Sequence, residues 1–432
     1  MIALATVGPL LALIVVVLAS LAIADVGGAE LRAGVARIDI TPPIAERPIP
    51  LNGYGERKRK PATGIHDPLY AKAVVFDDGS RRVAVASADL LWIGGELRAR
   101  VAERLTADGL APDNVLLFAT HNHSGPAGLD RNPVYQYAFG DFDEALFEDM
   151  AARLAAVIDE ASRHLRPARL SAAATEVPGL VANRRGDGAV DASLTVVKVG
   201  DTDGKPMALL VNYGAHPTIL GPDNLLVSGE YPGALQAVVE ERLGSGAMVL
   251  FSTGSGADQM PECNGQGDAF ARAREYAQTL GDAVCLLVDG MDGGSACRVG
   301  IHTTRVDLPH PRVPENWRNV ATDQFMKTLF PAESTVVTLV RLGDAVLVGV
   351  PGEIVASLGL RIKQRAAQLG IRFPVVVGLA NDYVGYMLTR EQYLSGGYES
   401  HTASLYGEAF GELMHRRAGD AIDALLHGPV VA

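Results

Sequence analysis

The stretch from Val115 to Pro126, VLLFATHNHSGP, joins an apolar run to a polar segment that contains two histidines. A short, uninterrupted apolar run of this kind is typical of a strand that is buried on both faces. In an open α/β sheet, ligands bind beyond the carboxyl ends of the strands. The stretch therefore predicts a strand of an α/β sheet with a candidate site at its carboxyl end.

The same succession of an apolar run and a polar segment occurs at five other places along the chain. These polar segments contain Asp89, His216, Asp258, Glu353 and the tyrosine-rich residues 381–386. Because the site of an α/β sheet lies where its strands end, we expect the six segments to meet at one convergent site.

Three strand–turn–strand units and five helical segments surround these ends. Each unit predicts a β-hairpin with a buried second strand; the paired runs are 73–76 with 83–87, 195–199 with 207–211, and 337–341 with 345–350. Apolar residues recur at helical spacing in 96–105, 144–161, 230–243, 268–288 and 355–369. We therefore predict an α/β fold of mixed β-sheets layered with helices, forming a single large catalytic domain over residues 30–430, with the active site at the strand carboxyl ends.

Composition excludes several classes of protein. The 432 residues are 48% apolar and 20% charged, which excludes a disordered or collagen-like chain. The formal net charge of −12 argues against a nucleic-acid partner, because duplex binders need a basic face.

The N-terminal segment predicts an exported protein. Residues 2–24 carry no charged side chain, and Ala22-Ile23-Ala24 fits a signal-peptidase site, so residues 1–24 are expected to be a signal peptide of a secreted or periplasmic protein. An uncleaved anchor is the alternative, since about 20 apolar residues can span a bilayer. Peripheral contact with a membrane and the oligomeric state are left open.

The residue types at the strand ends indicate a metal. His121 and His123 are two residues apart, so on an extended backbone their side chains share one face. His216 adds a third nitrogen and Glu353 an oxygen, and such ligands with an open position are typical of catalytic zinc. Two alternatives stay open: His216 could be a loop histidine bonded to backbone, and Glu353 could cap the helix that follows it.

At this point the residues resemble a known family. Residues 120–126, THNHSGP, resemble the THxHSGP signature of the neutral (alkaline, non-lysosomal) ceramidases. Further segments match in the same order along the chain: Asn52–Gly55, Asn183-Arg184, Ala215–Thr218, Pro351–Glu353, and residues 381–389 with Tyr398-Glu399. The number of collinear segments makes the resemblance specific.

The resemblance implies a zinc-dependent hydrolase that cleaves the N-acyl amide bond of ceramide or a related lipid substrate. The zinc ligands that it implies are His121, His216, Glu353 and Tyr386. The residues that it places against the amide and its neighbouring hydroxyl are His123, Arg184 and Tyr398. It further implies attack by metal-bound water, stabilisation of the oxyanion by the metal with tyrosine or arginine donors, and proton transfer by His123 to the leaving amine.

Two departures from the family pattern leave other functions open. Met260 stands where the family has a serine beside the metal, so we expect Asp258 to orient the attacking water. We also expect the family's C-terminal β-sandwich domain to be absent, since the chain ends at Ala432. The alternatives are an inactive relative that binds a lipid or glycan, and a zinc hydrolase of another exported ester or amide. Residues 124–142 are expected to form either a lid or a packed loop.

Overall fold

The computed structural model describes residues 30–186, 188–244, 246–292, 294, 297, 299–314, 318–319 and 321–427. The expected leader, residues 1–24, lies outside this part of the chain. Within the described ranges, every helix falls short of the length or the apolar character that a bilayer-spanning helix needs.

Strands and helices are interspersed along the chain. The strands are β1 (Arg32–Asp39), β2 (Gly64–Ile65), β3 (Tyr70–Asp77), β4 (Arg82–Ala88), β5 (Val115–Ala119), β6 (Arg166–Pro167), β7 (Arg169–Glu176), β8 (Val181–Asn183), β9 (Ser193–Gly200), β10 (Pro206–Tyr213), β11 (Leu226–Val227), β12 (Met248–Thr253), β13 (Gln259–Pro261), β14 (Val299–Asp307), β15 (Ser334–Leu342), β16 (Ala345–Gly349), β17 (Glu353–Ile354), β18 (Phe373–Val377) and β19 (Tyr386–Met387). The α-helices are α1 (Gly95–Arg104), α2 (Pro133–Phe139), α3 (Glu144–Arg163), α4 (Glu230–Leu243), α5 (Ala269–Asp289), α6 (Asp323–Leu329), α7 (Ala356–Gln368), α8 (Arg390–Leu394), α9 (Tyr398–Thr402) and α10 (Phe410–His427).

The three largest sheets share one arrangement of strands. Their orders are β5-β4-β3-β1-β6, β12-β10-β9-β7 and β14-β15-β16-β18. In each sheet an antiparallel hairpin has an antiparallel neighbour on one side and, on the other, a parallel strand that arrives after a helix. The three hairpins are β3–β4, β9–β10 and β15–β16, as the strand–turn–strand units predicted.

The three sheets face one another around a shared apolar core. Side chains from all three meet there, among them Phe76, Phe118, Leu210, Leu250, Leu347 and Val375. The outer faces are covered by helices: α1 and α3 lie on the first sheet, α4 and α5 on the second, and α7 and α10 on the third. The second strands of the hairpins are consequently buried on both faces, as their continuous apolar runs predicted. The α/β class with mixed sheets layered by helices is confirmed.

Side-chain hydrogen bonds tie the sheets to one another near the strand ends. Asn381 accepts from Leu117 N at 2.9 Å and donates to Val115 O at 3.0 Å, which joins the third sheet to the first. Asn212 donates to Val376 O at 2.9 Å, and Thr253 donates to Thr120 O at 2.9 Å. Every pair of sheets is thus connected, so residues that follow the strands have fixed relative positions.

Candidate metal centre

His121, His216 and Glu353 come from three different sheets and meet at one point. His121 follows β5, His216 follows β10, and Glu353 follows β16. All three are buried, with exposed fractions of 3%, 2% and 6%. The Nε2 atom of His121 lies 3.0 Å from Nε2 of His216 and 3.2 Å from Oε2 of Glu353. The structure therefore brings together side chains that the chain separates by 95 residues or more.

His123 belongs to the same cluster. Its Nε2 lies 3.1 Å from that of His216 and 3.4 Å from that of His121, so the three ring nitrogens could hold one metal ion. The expectation that His121 and His123 share the face of an extended strand is wrong, because both follow the end of β5 and His121 has a φ of 64°. A left-handed histidine costs about 1–3 kcal/mol and persists where the surroundings enforce it, often at functional sites.

Backbone carbonyls fix the orientation of two of the rings. His121 Nδ1 lies 2.9 Å from Leu91 O, and His216 Nδ1 lies 3.1 Å from Gly256 O. A carbonyl can only accept, so each Nδ1 carries the proton and each Nε2 offers its lone pair to the cluster. Burial is the main cause that holds the pKa of both His123 and His216 well below the usual range. Those two rings are therefore neutral at pH 7, the form that binds a metal.

The two oxygens of Glu353 have different surroundings. Oε1 accepts a hydrogen bond from the hydroxyl of Tyr383 at 2.9 Å. Oε2 is buried and has no hydrogen-bond partner among the described residues, although it faces His121. Burial acts to raise the pKa of Glu353, but His121 and Tyr383 bring it below its ordinary value. A buried, unbonded carboxylate oxygen beside nitrogen lone pairs is costly unless a cation lies between them, so the donor set fits a metal such as zinc.

Tyr386 is held beside Glu353 by the pairing of β17 with β19. The two residues are direct partners in this short parallel ladder. The conformation of the chain just before Tyr386 requires glycine at position 385. Gly385 has a φ of 82°, and a Cβ at this position would collide with the carbonyl of Ala403. The pKa of Tyr386 lies well above its usual range because of burial and then the charge of Glu353. The role of Tyr386 as a ligand rests on the resemblance.

Arg184 and Tyr398 form a second layer next to Tyr386. The guanidinium carbon of Arg184 lies 5.2 Å from the centre of the Tyr398 ring, which itself is 6.2 Å from the ring of Tyr386. Arg184 donates to Glu399 at 2.7 Å and to Ala257 O at 2.5 Å. These contacts leave the arginine fixed in position at the edge of the cluster.

Glu399 was missed as a site residue, although it follows the predicted Tyr398 directly. Only 1% of it is exposed, and its two oxygens accept from Arg184 and from Arg185, at 2.7 and 2.6 Å. The signal in the sequence was a carboxylate next to a candidate tyrosine, with two arginines 214 and 215 residues away that only the fold brings near.

Arg57 was also missed as a site residue, and it holds the backbone of His123 in place. Its buried guanidinium donates to His123 O at 2.6 Å and to Asn52 O at 2.7 Å. A side chain at Gly53 would collide with the ring of His123, and the Tyr54 ring packs on that histidine at 4.8 Å. The segment Asn52–Gly55, quoted for its resemblance, and Arg57 two residues further on therefore hold one of the three histidines in place.

Asp258 serves the fold. Its Oδ1 accepts from the backbone N–H of Ala356 at 2.8 Å, and its Oδ2 accepts from Asn183 and Gln392 at 3.2 and 3.1 Å. Asp258, and not Glu353, thus binds the first N–H of α7, which removes the alternative that Glu353 caps this helix. Because both oxygens are engaged in holding β8, α7 and α8 together, we give Asp258 no role at a bound water.

Residues 124–142 form a packed segment that contains α2. Tyr135 and Phe139 lie against Trp92, with ring centres 4.9 and 6.0 Å apart. The packed-loop alternative describes this conformation.

Known proteins are similar to this chain in sequence and in fold. The family described as "Neutral/alkaline non-lysosomal ceramidase, N-terminal" matches residues 31–269. A neutral ceramidase of Pseudomonas aeruginosa is 26% identical in a match that covers 87% of this chain and 69% of that protein. Neutral ceramidase B of Dictyostelium discoideum is 24% identical in a match that covers 90% of this chain and 72% of that protein. The crystal structure of the Pseudomonas aeruginosa enzyme has the same fold, with a TM-score of 0.81 at 23% identity over 92% of this chain and 74% of the other. Since the family match spans more than half of the 432 residues, the chain belongs to the neutral/alkaline non-lysosomal ceramidase family.

Proposed function

We propose that this protein is a zinc-dependent amidohydrolase that cleaves the N-acyl amide bond of ceramide or of a related N-acyl lipid. The observation that carries the proposal is the convergence of three histidine nitrogens with the unbonded Oε2 of Glu353. The substrate class is inferred from the family, because the relatives of this chain are named neutral ceramidases.

The proposed metal ligands include His121, His216 and Glu353. His123 and Tyr386 are the two candidates for a further position: the short distances between nitrogens favour His123, and the family resemblance favours Tyr386. The residue of this pair that does not bind the metal is then available to the substrate amide. Zinc at this site would polarise a carbonyl group and lower the pKa of water to about 7.

Arg184, with Tyr398, is proposed to stabilise the negative charge that develops on the carbonyl oxygen. Burial acts to lower the pKa of Arg184, but Tyr386 and Glu399 outweigh it, so this pKa lies above its ordinary value and the guanidinium stays charged. Its bonds to Glu399 and Ala257 fix its position before the substrate arrives. Donors that are already oriented contribute most to such stabilisation.

The proposal includes one hydrolase domain over residues 30–430 and export directed by residues 1–24. The three sheets that share a core support the first part. Secretion measured for the full chain and for a variant lacking residues 1–24 tests the second.

The test of the function is zinc-dependent turnover. The purified protein should contain stoichiometric zinc and hydrolyse a short-chain ceramide, with activity lost on chelation and restored by zinc. The His121→Ala variant should be inactive. Absence of zinc from the purified protein, together with unchanged activity of His121→Ala, contradicts the proposal.

Met260 favours a second candidate function, a protein that binds a lipid or glycan without turnover. It replaces the family serine and is 45% exposed on β13. Chelator-sensitive turnover of any N-acyl amide or ester excludes this candidate. Activity confined to substrates other than ceramide would instead identify a zinc hydrolase of another ester or amide.

A further inference from the structure

Tyr383 links Glu353 to an aromatic cluster that has no part in the function proposed above. It follows β18 and precedes Tyr386 by three residues. Its hydroxyl donates a hydrogen bond of 2.9 Å to Oε1 of Glu353. Tyr383 lies in the tyrosine-rich segment 381–386, in which a specific role was predicted only for Tyr386.

The bond from Tyr383 determines which oxygen of Glu353 faces the histidines. The terminal torsion of a glutamate is soft, so an unrestrained carboxylate presents either oxygen, or both, to a neighbouring group. With Oε1 bound by Tyr383, Oε2 alone is left beside His121 Nε2, at 3.2 Å. The hydrogen bond therefore selects a single-oxygen contact in advance.

The ring of Tyr383 is itself held in place. It stacks on Trp92 with ring centres 4.3 Å apart and planes inclined by 7°, and the ring of Tyr135 packs against both. Such stacked aromatic contacts restrict the orientation of the ring.

The segment that carries Trp92 also orients His121. The carbonyl of Leu91, the preceding residue, accepts from His121 Nδ1 at 2.9 Å. Two adjacent residues after β4 thus fix one nitrogen ligand directly and the carboxylate ligand through Tyr383.

We propose that Tyr383, held by Trp92, is a positioning residue that orients Glu353 with Oε2 toward the histidine cluster and thereby sets the affinity of the centre for its metal. This inference rests on the proposed function, because it requires Glu353 to be a metal ligand. Partners of this kind typically change metal affinity by about 10- to 100-fold when they are removed.

The experiment measures zinc affinity of the metal-free full chain by competition with a chromophoric chelator. Tyr383→Phe should weaken zinc binding by about 10- to 100-fold, while its thermal unfolding without metal matches the wild type. Trp92→Phe, which loosens the stack and leaves the hydroxyl, should weaken binding by a smaller factor. Tyr135→Phe is the matched control: it removes a hydroxyl from the same cluster and should leave zinc affinity unchanged.

A second measurement separates positioning from loss of stability. Cobalt-substituted Tyr383→Phe should have a visible absorption spectrum that differs from that of the wild type, because the ligand geometry changes. If zinc affinity and the cobalt spectrum are both unchanged in Tyr383→Phe, the inference is wrong and the proposed function stands. If the wild type itself binds no zinc, it is the proposed function that fails.

Discussion

The buried carboxylates of Asp258 and Glu353, each of which lies beyond a strand end, have opposite surroundings. Asp258 follows β12 in the second sheet, and Glu353 follows β16 in the third. Their exposed fractions are 0% and 6%, and both were predicted from the sequence as site residues. Burial and position in the fold therefore do not distinguish them.

Hydrogen bonding does distinguish them. Asp258 accepts from Ala356, Asn183 and Gln392, so both of its oxygens are satisfied. Glu353 has one satisfied oxygen and one without a partner among the described residues, and the latter faces the histidine cluster. Since buried polar atoms are normally bonded, an unbonded carboxylate oxygen that faces histidine nitrogens fits a position that binds a metal. We therefore interpret Glu353 as part of the centre and Asp258 as part of the scaffold.

The largest effect is expected from Glu353→Gln. The substitution removes the charge that would bind the metal, so zinc affinity should fall by more than the about 10- to 100-fold expected for loss of a ligand's hydrogen-bond partner, and activity should be lost. Because Oε2 has no donor to lose, unfolding of the metal-free variant should need at least as much denaturant as the wild type. Chelator competition and denaturant unfolding measure the two quantities. A large loss of stability with zinc affinity retained would reverse the roles of the two carboxylates.

Glu230 is a further buried carboxylate, and it is expected to make the stability of the protein depend on pH. Burial raises its pKa from 4.5 to about 7, against hydrogen bonds from the backbone N–H groups of Tyr231 and Leu220. The folded state therefore holds a proton that the unfolded state has released, and stability should decline between pH 4.5 and about 7, by about 3 kcal/mol.

The Glu230→Gln variant should lack this decline, and Glu241→Gln, at an exposed position near the end of the same helix α4, provides the control. Denaturant unfolding at several pH values measures the effect. A wild-type stability that does not fall across this range would show that Glu230 is already ionised when folded.

The variants His123→Ala and Tyr386→Phe determine which of these two residues is the further metal ligand. The variant that removes a metal ligand should lose about 100-fold in zinc affinity, and the other should keep its zinc and lose turnover. The distances between nitrogens predict the loss of zinc for His123→Ala. Full retention of zinc by His123→Ala, with loss in Tyr386→Phe, would support the ligand set implied by the family resemblance.

The smallest effect is expected from Asp258→Asn. One acceptor oxygen becomes an NH2 group that faces existing donors, so the free energy of unfolding should fall by about 2 kcal/mol. Zinc affinity of the folded variant should stay at the wild-type value, because Asp258 belongs to the scaffold. A selective loss of zinc or of turnover, without loss of stability, would restore the expectation that Asp258 acts at the bound water.

Much of the fold follows from local patterns in the chain. The predicted helix at 230–243 coincides with α4, and the three hairpins lie where apolar runs flank glycine- and aspartate-rich turns. These elements are recognisable because their burial is continuous along the sequence. Edge strand β7 (RLSAAATE) was not predicted, since its small, half-exposed residues carry a weak pattern.

Helix α10 was missed for a different reason. Gly411 and Gly419 lower its intrinsic helical preference. Gly411 is needed because a Cβ there would collide with the carbonyl of Leu388 on a neighbouring segment. Gly411 is thus explained by its packing against a distant part of the chain, and helix propensity, which is a local property, does not reflect such packing.

The sequence by itself determined which chemical groups end the buried strands: the histidines, carboxylates and tyrosines from which a metal centre was predicted. Only the tertiary structure decided which of them act together. Whether a carboxylate oxygen is free depends on donors far along the chain, such as Ala356 and Gln392, which lie 98 and 134 residues from Asp258. A local pattern records the residue that carries the oxygen, but the hydrogen bonds that satisfy it or leave it unbonded form only when the three sheets pack together.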